Sequence, residues 1–130
     1  MNAVYKGVLG KVVQHPIDHI ETMQIDPCPS VVKAVASEVS ALCPVTGQPD
    51  LYTVTLQYTP VGGHIVESKA LKLFLWWFRD IGISCEELAA VIAQRLAGSY
   101  AEKAGASTTF HVTVVQQSRG GIVLTAEAWA

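Results

Sequence analysis

The centre of the chain reads ESKALKLFLWWFRDIGISCEELAAVIAQRLAG (residues 67–98), and its apolar residues have the spacing of helices. Four large apolar side chains recur at intervals of three and four positions, which places them on one helix face: Leu71, Phe74, Leu75 and Phe78. The Asp-Ile-Gly segment at 80–82 ends this first helix. Ser84 and Glu87 form the S-x-x-E pattern that caps a helix N-terminus, so a second helix is predicted from there to a stop at Gly98.

The residues on both sides of these helices alternate between apolar and polar side chains, which is typical of half-buried strands. Turn-forming residues fill the segment CPVTGQPD (43–50), which is predicted to be a loop. The strands predicted from this alternation are 52–58 before the helices, and 108–116 and 121–129 after them. Segment 31–39 is rich in Val and Ala and is interpreted as a further strand, with a helix as the open alternative. This order predicts an α+β domain with both helices on one face of an antiparallel sheet.

The composition indicates one domain with a buried core. The chain has 130 residues, of which 50% are hydrophobic and 15% are charged. These values suit a single domain over 1–130, in which residues 1–30 show the weakest pattern. Because so few residues are charged, we expect part of the apolar surface to lie in contacts between subunits. The net charge of −2 offers no broad basic surface for nucleic acid.

The cysteines and the hydropathy pattern favour the cytoplasm. The three cysteines are too few and too widely spaced for a disulfide framework. Lys6 and Lys11 interrupt the stretch that a signal peptide would need to be apolar. The longest apolar run, residues 73–78, has six members, whereas a transmembrane helix needs about 20. We therefore expect a cytoplasmic protein that makes no contact with a membrane.

Cys43 and Asp50 are the first candidates for chemistry. Cys43 lies in the loop rich in Pro and Gly, and Asp50 follows seven residues later, near the next strand. A nucleophilic thiol needs a nearby group that handles protons, and such a loop can fold a carboxylate towards it. On spacing alone, an ordinary loop with a buried cysteine and a turn-forming aspartate remains an open alternative.

The helix starts provide further candidates. Lys69 and Lys72 lie in the first turns of the first helix, where free backbone N–H groups and positive charge suit a phosphate-bearing ligand. Glu86 lies beside Cys85 at the start of the second helix, and Arg119 precedes two glycines in a turn. Solvated charges, helix capping and turn exposure are the open alternatives. The histidines lack metal-ligand spacing, so no metal site is predicted, and no Rossmann or P-loop motif occurs.

Taken together, these segments resemble the QueF family of nitrile reductases. SALCPVTGQPD (40–50) is similar to the family's nucleophile loop, and ESKALKLF (67–74) fits its motif E-S/L-K-S/A-h-K-L/Y-Y/F/W at all eight positions. A C-E-E-L segment and a terminal R-G-G turn follow in the family's order, so the resemblance covers roughly residues 40–125. It implies the tunnelling fold (T-fold), in which antiparallel sheets of several subunits join into an oligomeric barrel with active sites at the subunit borders.

The resemblance also implies an activity, the reduction of 7-cyano-7-deazaguanine to 7-aminomethyl-7-deazaguanine in queuosine synthesis for tRNA. By that analogy, Cys43 attacks the nitrile carbon to give a covalent thioimide, and Asp50 handles the protons. NADPH delivers two hydrides in succession. The residues that would contact the deazaguanine base are Glu67, Ser68, Glu86 and its neighbour Cys85. The residues that would engage the NADPH phosphates are Lys69 and Lys72, with Arg119 as an additional candidate.

One segment departs from the family pattern. The family usually has Phe-His-Glu, in which Phe covers the base and His assists the proton and hydride steps, whereas this chain has Ser84-Cys85-Glu86. Ser84 leaves space for a bulkier substrate, such as a nucleoside in tRNA or DNA. Two alternatives therefore stay open: a QueF-like amidinotransferase that adds ammonia to the nitrile, and a non-catalytic deazapurine-binding scaffold. Because Cys85 lies at a helix N-terminus, we expect its pKa to be lowered.

Overall fold

The four long strands and the two helices follow the predicted order in the computed structural model, which describes residues 15–130. Lys6 and Lys11 lie outside the described residues. The strands are β1 (Thr22–Gln24), β2 (Val32–Leu42), β3 (Pro49–Tyr58), β4 (His64–Val66), β5 (His111–Arg119) and β6 (Ile122–Trp129). The helices are α1 (Ser68–Trp76), a 3₁₀-helix (Trp77–Asp80) that continues it, and α2 (Cys85–Ala104).

The four long strands form one antiparallel sheet in the order β2-β3-β5-β6, and β1 pairs with β4 in a separate two-stranded sheet. The apolar members of each alternation are buried under the helices, with α2 on β5 and β6 and the α1 segment on β2. The buried apolar side chains of the central strands are Tyr52, Val54, Leu56, Tyr58, Val112 and Val114. The predicted α+β class, with both helices on one face of the sheet, is confirmed.

The hairpin between β2 and β3 is tighter than the predicted loop. Pro49 and Asp50 already pair with Leu42 and Ala41, so β3 begins at Pro49 and only residues 43–48 form the turn. Proline is tolerated at the first residue of a strand, where its missing N–H costs no ladder hydrogen bond. Asp50 is therefore a strand residue, and its side chain points to the inner face of the sheet.

The predicted end of the second helix at Gly98 is wrong. Helix α2 continues to Ala104 and ends at Gly105, whose φ of 71° is left-handed. Glycine inside a helix costs about 1 kcal/mol relative to alanine. The apolar face continues past Gly98, because Leu96 and Tyr100 are both fully buried, and their burial offsets that cost. The predicted N-cap is confirmed, since Ser84 Oγ accepts a hydrogen bond from the Glu87 backbone N–H at 3.2 Å.

An aromatic cluster ties the sheet to α2. The rings of Tyr58, Tyr100 and Phe110 have centroids 4.7 to 5.7 Å apart. Both hydroxyl groups are used: Tyr58 Oη accepts from the Val66 N–H at 2.7 Å, and Tyr100 Oη donates to the His64 carbonyl at 2.8 Å. The aromatic rings thereby hold the β4 segment, and the α1 segment that follows it, against the core.

The outer strands of the sheet keep apolar surface and unpaired backbone. Within the described residues, β2 and β6 each pair on one side only along the four-stranded sheet. Ile122, Val123 and Trp129 on β6 are all more than half exposed. Exposed edges of this kind are templates for pairing with another chain. No helix among residues 15–130 has the length and apolar character needed to cross a membrane.

Candidate active site

The turn between β2 and β3 holds Cys43 in a fixed position. The Cys43 N–H donates to the Gln48 carbonyl at 2.8 Å, and the Gly47 N–H donates to the Cys43 carbonyl at 2.9 Å. Gly47 has a φ of 70°, which favours a residue without a Cβ. Two backbone hydrogen bonds and one permissive glycine therefore present the thiol, which is partly exposed, at the end of the hairpin.

Hydrogen bonds from the same turn activate the thiol. The side chain of Thr46 lowers the pKa of Cys43, and the backbone N–H groups of Thr46 and Val45 lower it further, whereas the Asp50 charge opposes them. Hydrogen bonds to a thiolate favour the charged form, and the thiolate is the nucleophilic species. Cys43 thus has the local chemistry of a nucleophile.

Asp50 is the second residue of β3, and its charge acts on the Cys43 thiol. Its side chain is almost fully buried, and the Arg119 Nη2 atom lies 2.9 Å from Asp50 Oδ1. The Arg119 N–H donates instead to the Pro49 carbonyl at 2.8 Å, so its contact with Asp50 is an ion pair without aligned hydrogen-bond geometry. Arg119, which the resemblance assigns to NADPH, is thus placed beside the proposed proton-handling residue. A role in NADPH binding remains a prediction.

Tyr52 is a site residue that the sequence analysis did not single out. It shares the inner face of β3 with Asp50 and is 1% exposed. Burial raises the pKa of Tyr52 to about 12, and the charges of Asp50, Cys85, Cys43 and Glu86 add to the rise. The sequence spacing could have identified Tyr52, because it lies two residues after Asp50 and alternate side chains of a strand share one face.

Cys85 lies in the core at the start of α2, and the expectation that its pKa is lowered is wrong. Its Sγ atom lies 3.8 Å from the Val114 carbonyl and 4.0 Å from the Leu124 carbonyl. Burial raises the pKa of the thiol, and the adjacent Glu86 charge raises it further. Desolvation outweighs the helix dipole because the side chain points into the sheet. Glu86 itself is exposed, and contact of either residue with the substrate remains a prediction.

The motif residues at the start of α1 line a second feature, a groove of about 1080 Å³ between α1 and β2. Ser68, Lys69 and Lys72 contribute to one wall, and residues 34–40 of β2 form the other. Glu67 precedes them and is fully buried, and its backbone N–H donates to the Glu21 carbonyl at 2.9 Å. The lining is largely apolar and carries three cations, Lys69, Lys72 and Arg79, against one carboxylate, Glu38. The excess of positive charge suits a ligand that carries phosphate groups.

The predicted site residues therefore form two groups within one subunit. One group gathers at the end of the hairpin and comprises Cys43, Asp50, Cys85, Glu86 and Arg119. The other group lines or adjoins the α1–β2 groove and comprises Glu67, Ser68, Lys69 and Lys72. Among residues 15–130, no three His, Cys, Asp or Glu side chains are grouped so that they could hold a metal ion.

Comparisons with known proteins assign this chain to a family. The family model described as QueF-like protein matches residues 49–129. A relative from Frankia casuarinae, named NADPH-dependent 7-cyano-7-deazaguanine reductase, is 38% identical over 109 residues, which cover 84% of this chain and 82% of that protein. A relative of the same name from Thermotoga maritima is 36% identical over 110 residues, covering 85% of this chain and 77% of the relative.

A solved structure supports the fold. The crystal structure of the archaeosine synthase QueF-Like in the apo form aligns with a TM-score of 0.64 at 23% identity, covering 78% of this chain and 94% of that one. At that identity the likeness concerns the fold alone. The family suggested by the two motifs is confirmed by the family model and by the relatives together. The chain belongs to the QueF-like family.

Proposed function

We propose that the protein reduces the nitrile group of 7-cyano-7-deazaguanine to a primary amine with two molecules of NADPH, as a step of queuosine synthesis. The observation that carries the proposal is the pairing of an activated Cys43 thiol with a buried Asp50 carboxyl in one hairpin. The relatives that match over most of their length are named for this reaction. A nitrile is a poor hydride acceptor, whereas a thioimide is a better one. The thiol and the carboxyl group would therefore serve to convert the nitrile into a covalent thioimide before the hydride arrives.

The first step uses only residues of this chain. The Cys43 sulfur attacks the nitrile carbon, a C–S bond forms, and one π bond of the nitrile breaks. The thiol proton passes by way of Asp50 to the nitrile nitrogen, which gives a neutral thioimide. NADPH, when bound, supplies the two hydrides that convert this group to the amine. Asp50 then supplies or relays protons to nitrogen, and Cys43 is released as a thiol when its C–S bond breaks.

The cations of the groove between α1 and β2 support a binding place there for the cofactor's phosphate groups. Lys69 and Lys72 lie along one wall, and Arg79 contributes a third cation to the same lining. Each lysine is a point charge for phosphate, and the extra phosphate of NADPH gives it an advantage over NADH. The residues at the start of α1 and of α2 would hold the deazaguanine base, Glu67 and Glu86 through carboxylate oxygens and Ser68 through its hydroxyl group.

We also propose that the protein works as a homo-oligomer. Among residues 15–130, the outer edges of β6 and of β2 before Leu42 pair with no other strand, and these edges and the exposed apolar side chains of β6 support pairing between subunits. Within one subunit, the residues at the end of the β2–β3 hairpin, Cys43 and Asp50 among them, do not line the groove. Assembly would bring the hairpin of one subunit to the groove of the next, so that thiol and cofactor meet at the subunit border.

A covalent adduct tests the proposed chemistry. The full chain is incubated with 7-cyano-7-deazaguanine in the absence of NADPH and analysed by intact mass and peptide mapping. We expect an adduct equal to the mass of the nitrile base on Cys43, which Cys43→Ala abolishes and the matched control Cys28→Ala retains. An adduct that survives in Cys43→Ala would overturn the mechanism. Binding of the base without any adduct would assign a non-catalytic scaffold instead.

A further inference from the structure

Two buried side-chain atoms in the described part of the chain have no hydrogen-bond partner, and they belong to neighbouring positions. They are Asp50 Oδ1 and Tyr52 Oη, which lie on the same inner face of β3. Buried polar atoms in folded proteins are almost always hydrogen-bonded, and leaving one unpaired costs about 1–3 kcal/mol. The cost applies in full to Tyr52 Oη, whereas Asp50 Oδ1 has the Arg119 ion pair at 2.9 Å but no aligned hydrogen bond.

The other buried tyrosines show that an unused hydroxyl is not a general feature of this core. Tyr58 and Tyr100 are as deeply buried as Tyr52, and each bonds to the backbone near β4 at 2.7 to 2.9 Å. These two hydroxyls support the fold. The Tyr52 hydroxyl contributes nothing of that kind, although its ring fills the core equally well.

The groups around Tyr52 are those of the proposed site. Asp50 on the same strand, Cys43 from the hairpin turn, and Cys85 and Glu86 from α2 all act on the phenol. Burial raises the pKa of the phenol to about 12, and these groups, which are negative when ionised, add to the rise, so the phenol stays protonated. Tyr52 is thus a hydrogen-bond donor throughout the physiological range, not a base.

The hydrogen-bonding capacities of Asp50 and Tyr52 are complementary. An ionised carboxylate only accepts hydrogen bonds, and a protonated phenol offers one O–H to donate. Alternate residues of a strand lie about 7 Å apart on one face, a distance that the side chains of Asp50 and Tyr52 can bridge. Hydrogen bonds of active sites are often long or misaligned before the substrate binds, so their absence in the free enzyme is expected.

We propose that Tyr52 is a positioning residue of the nitrile reduction, whose O–H donates to the Asp50 carboxylate when the substrate is bound. The bond fixes the carboxylate in the orientation that carries the proton from Cys43 to the nitrile nitrogen. The Arg119 ion pair holds the same carboxylate from the opposite strand, so that together Tyr52 and Arg119 restrict its rotation. This inference rests on the proposed function and adds a residue that neither family motif contains.

Tyr52→Phe tests the inference, with Tyr58→Phe as the matched control. Single-turnover adduct formation is measured without NADPH as a function of substrate concentration, and thermal unfolding is measured on the same samples. For Tyr52→Phe we expect the maximal rate to fall at least fivefold, the half-saturating concentration to stay within twofold, and Tm to stay equal or rise, because an unpaired buried hydroxyl is removed. For Tyr58→Phe we expect a lower Tm, because the Val66 N–H loses its partner, and an unchanged rate.

The possible outcomes separate the two proposals. A wild-type protein that forms no adduct would overturn the proposed function, and this inference with it. An adduct in the wild type, with an unchanged maximal rate in Tyr52→Phe, would overturn this inference alone. A Tyr52→Phe protein that loses both Tm and rate would show that the hydroxyl serves the fold, which also contradicts the positioning role.

Discussion

The Cys43 thiol is activated by its own turn rather than by a neighbouring cation. Thr46, three residues later, is the largest cause of its lowered pKa, and two backbone N–H groups contribute the rest. The Thr46 hydroxyl also accepts the Gln48 N–H at 3.2 Å, which fixes its orientation. One side chain therefore both shapes the turn and stabilises the thiolate.

Replacing Thr46 should make Cys43 less reactive near neutral pH. In Thr46→Val the hydroxyl is lost, so the pKa of Cys43 rises and less thiolate is present at pH 7. We expect alkylation of Cys43 by iodoacetamide, followed by peptide mass mapping, to slow about threefold at pH 7 and to approach the wild-type rate at pH 10. Thr46→Ser keeps the hydroxyl and should react like the wild type, as should the exposed control Thr109→Val. Equal pH profiles for Thr46→Val and wild type would contradict this account.

The role of Tyr52 shows what a residue pattern leaves out. The alternation over 52–58 predicts that the ring is buried, and it is. The alternation does not show which groups surround the Tyr52 hydroxyl, because they come from the hairpin turn and from α2. Cys85, for example, lies more than 30 residues away in the sequence. The predicted lowering of the Cys85 pKa is wrong for the same reason. The burial that raises this pKa comes from packing against β5 and β6, which the local sequence does not show.

At the level of elements, local patterns predicted the long strands and both helices. The three-residue strands β1 and β4 were not predicted, because they lie in segments interrupted by Pro and Gly and pair over about 40 residues of sequence. The end of α2 was misplaced because glycine is an ambiguous signal: Gly98 lies inside the helix and Gly105 ends it. Only the backbone conformation distinguishes the two positions.

These two glycines should respond in opposite ways to alanine. A Cβ at Gly98 meets no atom within 4 Å, and the position is helical, so Gly98→Ala should stabilise the fold by about 1 kcal/mol. Gly105 has a φ of 71°, so Gly105→Ala should destabilise it by about 1 kcal/mol. Urea unfolding of both variants provides the measurement. Stabilisation by Gly105→Ala would mean that the helix does not end there.

The wall of the groove formed by α1 should determine cofactor affinity without affecting the thiol. Lys69→Ala and Lys72→Ala should each raise the KM for NADPH about tenfold, because a charge-assisted contact to phosphate is lost. Adduct formation on Cys43 needs no cofactor and should be unchanged. Lys33→Ala, on the exposed side of β2, is the matched control. If both variants failed to form the adduct, these lysines would instead serve the base or the fold.

At the level of the whole molecule, the low charge and the exposed β6 edge support the proposed homo-oligomer. We expect sedimentation velocity at micromolar concentration to show a species several times heavier than one chain. Val123→Lys places a charge on the exposed edge strand and should shift the distribution towards smaller species. Gln94→Lys on the exposed side of α2 is the control and should leave assembly intact. A wild-type protein that sediments as a single chain would refute the assembly and the shared active site.

The reductase proposal makes a definite prediction of stoichiometry. The purified chain is given 7-cyano-7-deazaguanine with NADPH, and separately tRNA carrying the nitrile base with ammonium, and NADPH oxidation is followed alongside product mass. The account predicts two NADPH oxidised for each primary amine formed from the free base, and no amidine on the tRNA. Amidine formation on tRNA without any NADPH oxidation would contradict it and assign the amidinotransferase activity instead.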